Sequence, residues 1–435
     1  MSQNLQRFSP VAAGDVAVVV GAGRSGQAAV RLLCKRGARV RLLEQNADNI
    51  PADFLAEMTA AGVSVHTGEH KPEYFAGARF IVPSPGMPVA RLRGMLPRDL
   101  PPQAEIVAEM ELAWRHLQGE PVLAVTGTNG KTTTCSVAAA MLREQGLTVF
   151  LGGNIGTPLS EYVLAGRTAD VIVVEISSFQ LQTCSSFRPR VGVLLNISEN
   201  HLDYHRDMQE YIDAKFRLFR WQDERDVAVL HESLRPLARQ YGLKSRVVWF
   251  SGGTQRFADR QLFGAHNDAN LEVAWLAVRE FGVSQANAAK TVAQFRPLPH
   301  RLELVAIKGG VSYVNDSKCT TVTALKTALE AFDKPICLLC GGKFKGGDLQ
   351  ALVPLVTKKV KHVAMFGASR EHFTQAWQGQ VPLSWDENLD KALARVQGIA
   401  AKGDVVLLAP ATSSFDLYAN YEERGNHFKR LVAAL

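Results

Sequence analysis

An α/β fold in three successive units is the architecture that this 435-residue sequence predicts. Three observations point there. Apolar strand-like runs alternate with helix-period stretches along the chain, two of those runs end in glycine turns that open helices, and the length exceeds what one ordinary core fills. Hydrophobic residues make up 46% and charged residues 21%, a balance that builds large cores and excludes a disordered or fibrous chain.

The first unit, residues 1–112, opens with "DVAVVVGAGRSGQAAVRLLCKRGARVRLLE": a strand, a glycine turn, a helical stretch and a second strand ending at Glu44. That is a β-α-β unit. It continues through "VSVHTG" and "ARFIVPSPGMPV" into the helical segment "AEIVAEMELAWRHL". The second unit, residues 113–298, opens with "PVLAVTG" and has further strands at "DVIVVE", "VGVLLNIS", "DVAVLH" and "RVVWFS". The third, residues 299–435, places strands at "VSYVND", "PICLLCGG", "KHVAMFGA" and "DVVLLAPA" before a long final helix. Alternation of this kind predicts parallel sheets covered by helices on both faces.

The opening "MSQNLQRFSP" lacks a basic segment followed by an apolar one, and no apolar run approaches the ~18 residues that cross a bilayer, so a cytoplasmic chain without a membrane partner is expected. Six scattered cysteines suit a reducing compartment, and the lone "CLLC" at 337–340 lies in an apolar run and reads as core thiols. The net charge of +7 is dispersed, with no aromatic-basic stripe, which favours anionic metabolites over nucleic acid.

Gly21, Gly23 and Gly26 follow a strand and open a helix, with Glu44 about twenty residues on. Small turn residues let a backbone approach a pyrophosphate at a helix N-terminus; a dinucleotide, another nucleotide diphosphate and a plain tight turn all satisfy that pattern. "VTGTNGKTTT" is more specific. Backbone amides of residues 127–132 (Gly127, Thr128, Asn129, Gly130, Lys131, Thr132) form an anion nest, Lys131 reaches terminal phosphates and the Thr132 hydroxyl suits magnesium. "DVIVVE" then delivers Glu175 to a strand end, where a metal-binding carboxylate belongs. "NISENHLDYH" supplies His201, Asp203 and His205 after another strand, while Lys215 by itself looks like an ordinary solvated helix residue. In the third unit "NDSKCTT", "GGKFKGG" and "APATSSFD" each follow a strand, the edge where open α/β sheets bind ligands.

At these motifs the sequence resembles the Mur ligase family, ATP-dependent ligases that build the peptidoglycan stem peptide. The shortened loop "GTNGKT" is that family's phosphate loop, and "SPGMPV", "GGNIG", "EISSFQL", "HLDYH", "PHRLE", "NDSKCTT", "GGKFKG" and "SSFD" extend the likeness over essentially the whole chain. The resemblance implies an N-terminal Rossmann-like UDP-sugar domain, a central P-loop ATPase-like parallel sheet and a C-terminal Rossmann-like domain for the incoming amino acid. It implies the branch that joins D-glutamate to UDP-N-acetylmuramoyl-L-alanine, acting as a monomer.

On that footing Gly23, Arg24, Ser25, Glu44, Gly86, Asn154 and Ser177 hold the UDP substrate, with Asn154 and His201 placing substrate and a second magnesium. The ATP contacts are the loop residues through Thr133 with Asn270, Arg301 and Asp316. Thr132, Glu175, His201 and Lys215 are the implied metal set, Lys215 as a carbamate whose charge is acid-like. Thr320, Lys345, Ser414, Phe415 and Tyr421 grip D-glutamate, and Lys131, Glu175, His201, Lys215 and Lys318 are the implied catalytic set. ATP and two magnesium ions are the implied cofactors.

Overall fold

The computed structural model describes residues 10–435 apart from 200, 202, 203, 255, 258–261, 263, 297 and 298. Three α/β domains are built on three sheets, and the chain divides into two compact units: Met1–Phe257 with Ala269–Val292, and Ala258–Asp268 with Ala293–Leu435.

In the first unit the N-terminal sheet comprises β1 (Val16–Val20), β2 (Arg39–Glu44), β3 (Ser64–Thr67), β4 (Phe80–Pro83) and β5 (Glu105–Ile106). Their order is β3-β2-β1-β4-β5 and every pairing is parallel. Strand order therefore reverses between β1 and β4, the crevice where open sheets of this kind bind ligands. The glycine turn after β1 and "SPGM" after β4 flank it, with the Gly21 amide donating to Leu43 O (2.7 Å) and the Ser84 amide to Val20 O (2.7 Å).

The central sheet comprises β6 (Val122–Thr126), β7 (Val149–Gly153), β8 (Val171–Glu175), β9 (Val191–Leu194), β10 (Val227–His231) and β11 (Arg246–Phe250), ordered β11-β10-β9-β6-β8-β7 and parallel throughout. β6 and β8 are buried along their whole length, as continuous Val/Leu/Ala runs require when helices cover both faces. One hydrophobic core runs from Val19 and Leu42 of the first sheet through Leu32, Leu112 and Leu159 to Ala124 and Val174 of the second. The helix Arg24–Lys35 packs on the helix Leu159–Ala165 there, joined at its rim by Arg31 to Glu161 (3.4 Å) and by Lys35 Nζ donating to Leu164 O (2.8 Å).

The second unit carries β12 (Glu303–Lys308), β13 (Val311–Asn315), β14 (Ile336–Gly341), β15 (Val360–Phe366), β16 (Leu383–Asp386) and β17 (Val405–Leu408), ordered β12-β13-β17-β14-β15-β16. This sheet is mixed, where a parallel one is predicted from sequence: β12 pairs antiparallel with β13 across Gly309–Gly310. Both glycines have positive φ (58° and 76°), the combination that closes a two-residue hairpin.

The stretch "AEIVAEMELAWRHL", expected to be helical, begins as β5 and turns helical only at Glu109–Trp114. Among the described residues, no helix is long and apolar enough to cross a membrane.

Candidate functional site

β6 is central in its sheet, and after Thr126 the chain turns through 127–130 into the 14-residue helix Lys131–Glu144. Gly130 caps that helix at φ 86°, and a Cβ there would stand 2.4 Å from Asn270 Oδ1, so this position admits only glycine. The first amides of the helix point into the loop and make an anion site. Lys131 folds over the loop, its Nζ donating to Gly127 O and Thr128 O at 2.8 Å each. The loop is pinned from the β9 side: the Thr128 amide donates to Asn196 O (3.0 Å) and the Asn129 amide to Asn196 Oδ1 (2.9 Å). Thr133 is half-buried in the first turn, and the next residue, Thr134, donates from Oγ1 to the buried Asn270 (3.4 Å).

Thr132 Oγ1 donates to Glu175 Oε2 at 2.7 Å, and Asn154 Nδ2 donates to Glu175 Oε1 at 2.7 Å. Three residues from three separate segments thus meet on one buried carboxylate at the C-terminal edge of β6 and β8. Asn154 reaches it because "GGNIG" runs against the end of β8: its amide donates to Glu175 O (2.8 Å), and a Cβ on Gly153 would lie 2.4 Å from that same oxygen. Ser177, two residues beyond Glu175, caps the helix Ser178–Gln182 in a reciprocal capping box with Gln180.

Lys215 is fully buried on the helix Met208–Phe216, its Nζ 4.5 Å from the centre of the Tyr211 ring one turn earlier. Burial pulls its ammonium well below the usual lysine range, and the charge of Lys131 adds to that shift. Both effects favour the neutral amine over the ammonium. The Tyr211 hydroxyl is 3.0 Å from Thr128 Oγ1, which ties this helix to the phosphate loop. His201 sits at φ 58°, its carbonyl accepting from the amides of Tyr204 (3.1 Å) and His205 (2.9 Å), with its ring edge-on to Phe179 at 4.8 Å. His205 is buried with Nε2 2.9 Å from Ser178 Oγ. Asp203 lies outside the described residues.

At the N-terminal glycine turn, Glu44 Oε2 accepts from the Ala22 amide (2.8 Å) and Oε1 from the Asn46 amide and Asn49 Nδ2 (3.1 Å each). Burial works to raise this carboxyl, but the amides of Ala22 and Asn46 outweigh it and hold the group below its ordinary range. Gly23, Arg24 and Gly86 are exposed around the crevice and Ser25 is half-buried.

In the second unit the three strand-end motifs are stitched together. Lys343 and Ser413 exchange backbone hydrogen bonds (2.9 and 3.1 Å), joining "GGKFKGG" to "APATSSFD". Arg424, fully buried on the last helix, donates to Ser317 O (2.9 Å), Ser317 Oγ (3.0 Å) and Thr412 O (3.2 Å), and reaches Gly341 O (3.4 Å). Burial lowers its guanidinium to about 10, still a cation at neutral pH.

Asp316 accepts from the Leu302 amide (3.2 Å), yet burial raises its carboxyl to about 7. Lys318 Nζ lies 3.9 Å from the Tyr421 ring centre, a cation–π contact. Around them His300, Leu302 and Ala411 all hold positive φ, a concentration of strain typical of functional loops. Ser414 is buried, Thr320 and Arg301 are half-buried, Lys345 is exposed and Phe415 is 70% exposed.

Sequence reasoning missed Tyr211 and Arg424. Tyr211 carried a signal, standing four residues before Lys215 on one helix face; Arg424, amid "YEERGN", carried none.

Comparison with known proteins agrees with this geometry. The Mur ligase MurD-like N-terminal domain matches residues 15–93, the Mur ligase middle domain residues 125–278, and the Mur ligase glutamate ligase domain residues 300–412. The UDP-N-acetylmuramoylalanine--D-glutamate ligase of Desulfovibrio desulfuricans is 64% identical over 437 residues, covering 100% of both chains. That of Nitratidesulfovibrio vulgaris is 61% identical over 435 residues, again covering 100% of both. The crystal structure of the MurF ligase from Thermotoga maritima in complex with ADP shares the fold, with a TM-score of 0.60 over 100% of both chains at 18% identity. A phosphate loop of the shortened form, a strand-end glutamate that its threonine engages, a buried lysine and these full-length likenesses lead to one conclusion: the chain belongs to the Mur ligase family.

Proposed function

We propose that the chain is an ATP-dependent ligase that adds D-glutamate to UDP-N-acetylmuramoyl-L-alanine, giving ADP and phosphate, in peptidoglycan precursor synthesis. The observation that carries this reading is the Thr132–Glu175–Asn154 cluster at the mouth of the phosphate loop, in a chain 61–64% identical to ligases of that name. Residues 1–112 hold the UDP sugar, 113–298 hold ATP and 299–435 hold the amino acid. The enzyme acts as a cytoplasmic monomer.

A carboxylate is a poor electrophile, since its charge repels a nucleophile and oxide does not leave. Transfer of the γ-phosphoryl group of ATP to a carboxylate oxygen of the L-alanyl group releases ADP and makes an acyl phosphate. The D-glutamate amine, having lost its proton, adds to the acyl carbon. The tetrahedral intermediate then breaks its C–O bond to phosphate, leaving the amide.

The loop amides with Lys131 hold the phosphates in line, where positioning and charge stabilisation supply most of the acceleration. Thr132 and Glu175 fit a magnesium ion: a hydroxyl and a carboxylate 2.7 Å apart beside a phosphate site are a hard-oxygen donor pair. His201 and Lys215, the latter as a carbamate formed when its amine adds carbon dioxide and gives up a proton, would hold a second. Held by these residues, magnesium would neutralise charge between the transferred phosphoryl group and the anions around it.

Arg24, Ser25, Gly23, Glu44 and Gly86 hold the uridine diphosphate, and Asn154 and Ser177 face the sugar-peptide portion. Asn270, Arg301 and Asp316 contact ATP, and Lys318 neutralises developing charge. Thr320, Lys345, Ser414, Phe415 and Tyr421 receive D-glutamate.

The test is phosphate release with ATP, magnesium and UDP-N-acetylmuramoyl-L-alanine against a panel of single amino acids, with product mass measured. Turnover with D-glutamate alone is expected. Turnover with a different acceptor would retain the family and discard the substrate.

A further inference from the structure

A cavity of about 610 Å³ opens between the edge of the N-terminal sheet and two helices of the central domain. Its walls are the helix Val89–Met95 and β5 on one side, and Gln182–Ser185, Glu210 and Arg217 on the other. None of these residues has a role in the reaction above.

Charge is unevenly settled there. Arg217 is half-buried, and its guanidinium makes no hydrogen bond or ion pair among the described residues; the same holds for the exposed Arg93 on the opposite wall. Two other part-buried arginines of this unit are matched, Arg115 with Glu105 (2.8 Å) and Arg188 with Asp226 (2.7 Å). Both acids that line the cavity are already committed: Glu105 to Arg115, and Glu210 to Gln182 Nε2 (3.1 Å) and the Arg206 amide (2.7 Å). Gln182 Oε1 is buried without a donor. Ile81, Val89, Leu96, Leu100 and Ile106 give the rest of the wall an apolar face.

Two guanidiniums without an ion-pair partner, a carbonyl oxygen lacking a donor and an apolar wall together describe what is missing, because a half-buried cation such as Arg217, which feels Asp213 only at a distance, is costly without a paired counter-charge. We propose that this cavity is a second ligand site, taking an organic anion whose phosphate or carboxylate meets Arg93 and Arg217 and whose apolar body lies against the Val89–Met95 helix. A hydroxyl or amide on the ligand satisfies Gln182. The site touches the end of the helix that follows Glu175 and Ser177, and the turn that follows the helix of Lys215, so its occupant bears on both elements that shape the phosphate site.

Titration calorimetry of the full chain with phenyl phosphate, with saturating ADP present to occupy the phosphate loop, tests this; phenylacetate as a second probe separates phosphate from carboxylate preference. One-to-one binding is expected. Arg217→Gln should weaken it roughly tenfold or more, the value of a charge-assisted hydrogen bond. Ala90→Trp should weaken it comparably by filling the cavity from an exposed helix position while keeping both charges. Unchanged ADP affinity and melting temperature establish that each variant is folded. Binding that survives both substitutions overturns the proposal, as does binding displaced by ADP or no binding of either probe.

Discussion

Lys215 is a residue whose chemistry is set by its surroundings. With Tyr211 beneath it and Lys131 nearby, the folded chain disfavours its charged form, and that costs stability, since the unfolded chain protonates it freely. Replacing it by methionine should therefore keep or raise the melting temperature while lowering ligase activity at least ~100-fold; Lys215→Ala should regain part of the activity in millimolar acetate or formate. Full activity in either variant would end the carbamate role.

Glu109 is a second such case. It is buried, accepts from the Ser160 amide (2.6 Å) and is raised to about 7 by burial. The native state then holds a proton that the unfolded state releases above about 4.5. Stability from this group is present at low pH and is lost as pH climbs towards 7, an effect of about 3 kcal/mol. Glu109→Gln should remove that slope, read as a smaller difference between urea midpoints at pH 5 and pH 8 than in the parent.

Lys131, Thr132 and Glu175 were legible as a motif because strand, loop and acid agree in order and spacing. Lys215 was legible only through family resemblance, and Arg424 not at all, because burial of a helix arginine is decided by which loops happen to surround it.

Strands divide along the same line. The Val- and Leu-rich runs of β1, β6, β8, β14 and β17 declare themselves, since helices cover both faces. The strands that sequence reading passed over, β5, β7, β12 and β16, are all edge strands with part-exposed residues, whose apolar runs are short or absent. β7 is the one that matters for the site, because its final glycines deliver Asn154 to Glu175. Gly153→Ala would force a Cβ onto Glu175 O from a φ of 96°. A loss of roughly 2 kcal/mol or more is expected, together with impaired ATP turnover that added magnesium does not restore. An unchanged urea midpoint would show that the strand end can yield without displacing the carboxylate.

At the scale of the whole molecule, three sheets make two folding bodies, because the first two share a hydrophobic core that spans Leu32, Leu112, Leu159 and Val174. Scanning calorimetry should resolve two transitions; three would mean that the shared core is not cooperative. Arg424 sets a corresponding rule inside the second body. One guanidinium fastens the loops ending β13, β14 and β17 to the final helix. Those loops are therefore inherited as a set. An attempt to change which amino acid the enzyme accepts by grafting a single loop from a sister ligase would leave the arginine gripping carbonyls that no longer lie where it expects them, so the natural unit of exchange is three loops with the helix that binds them.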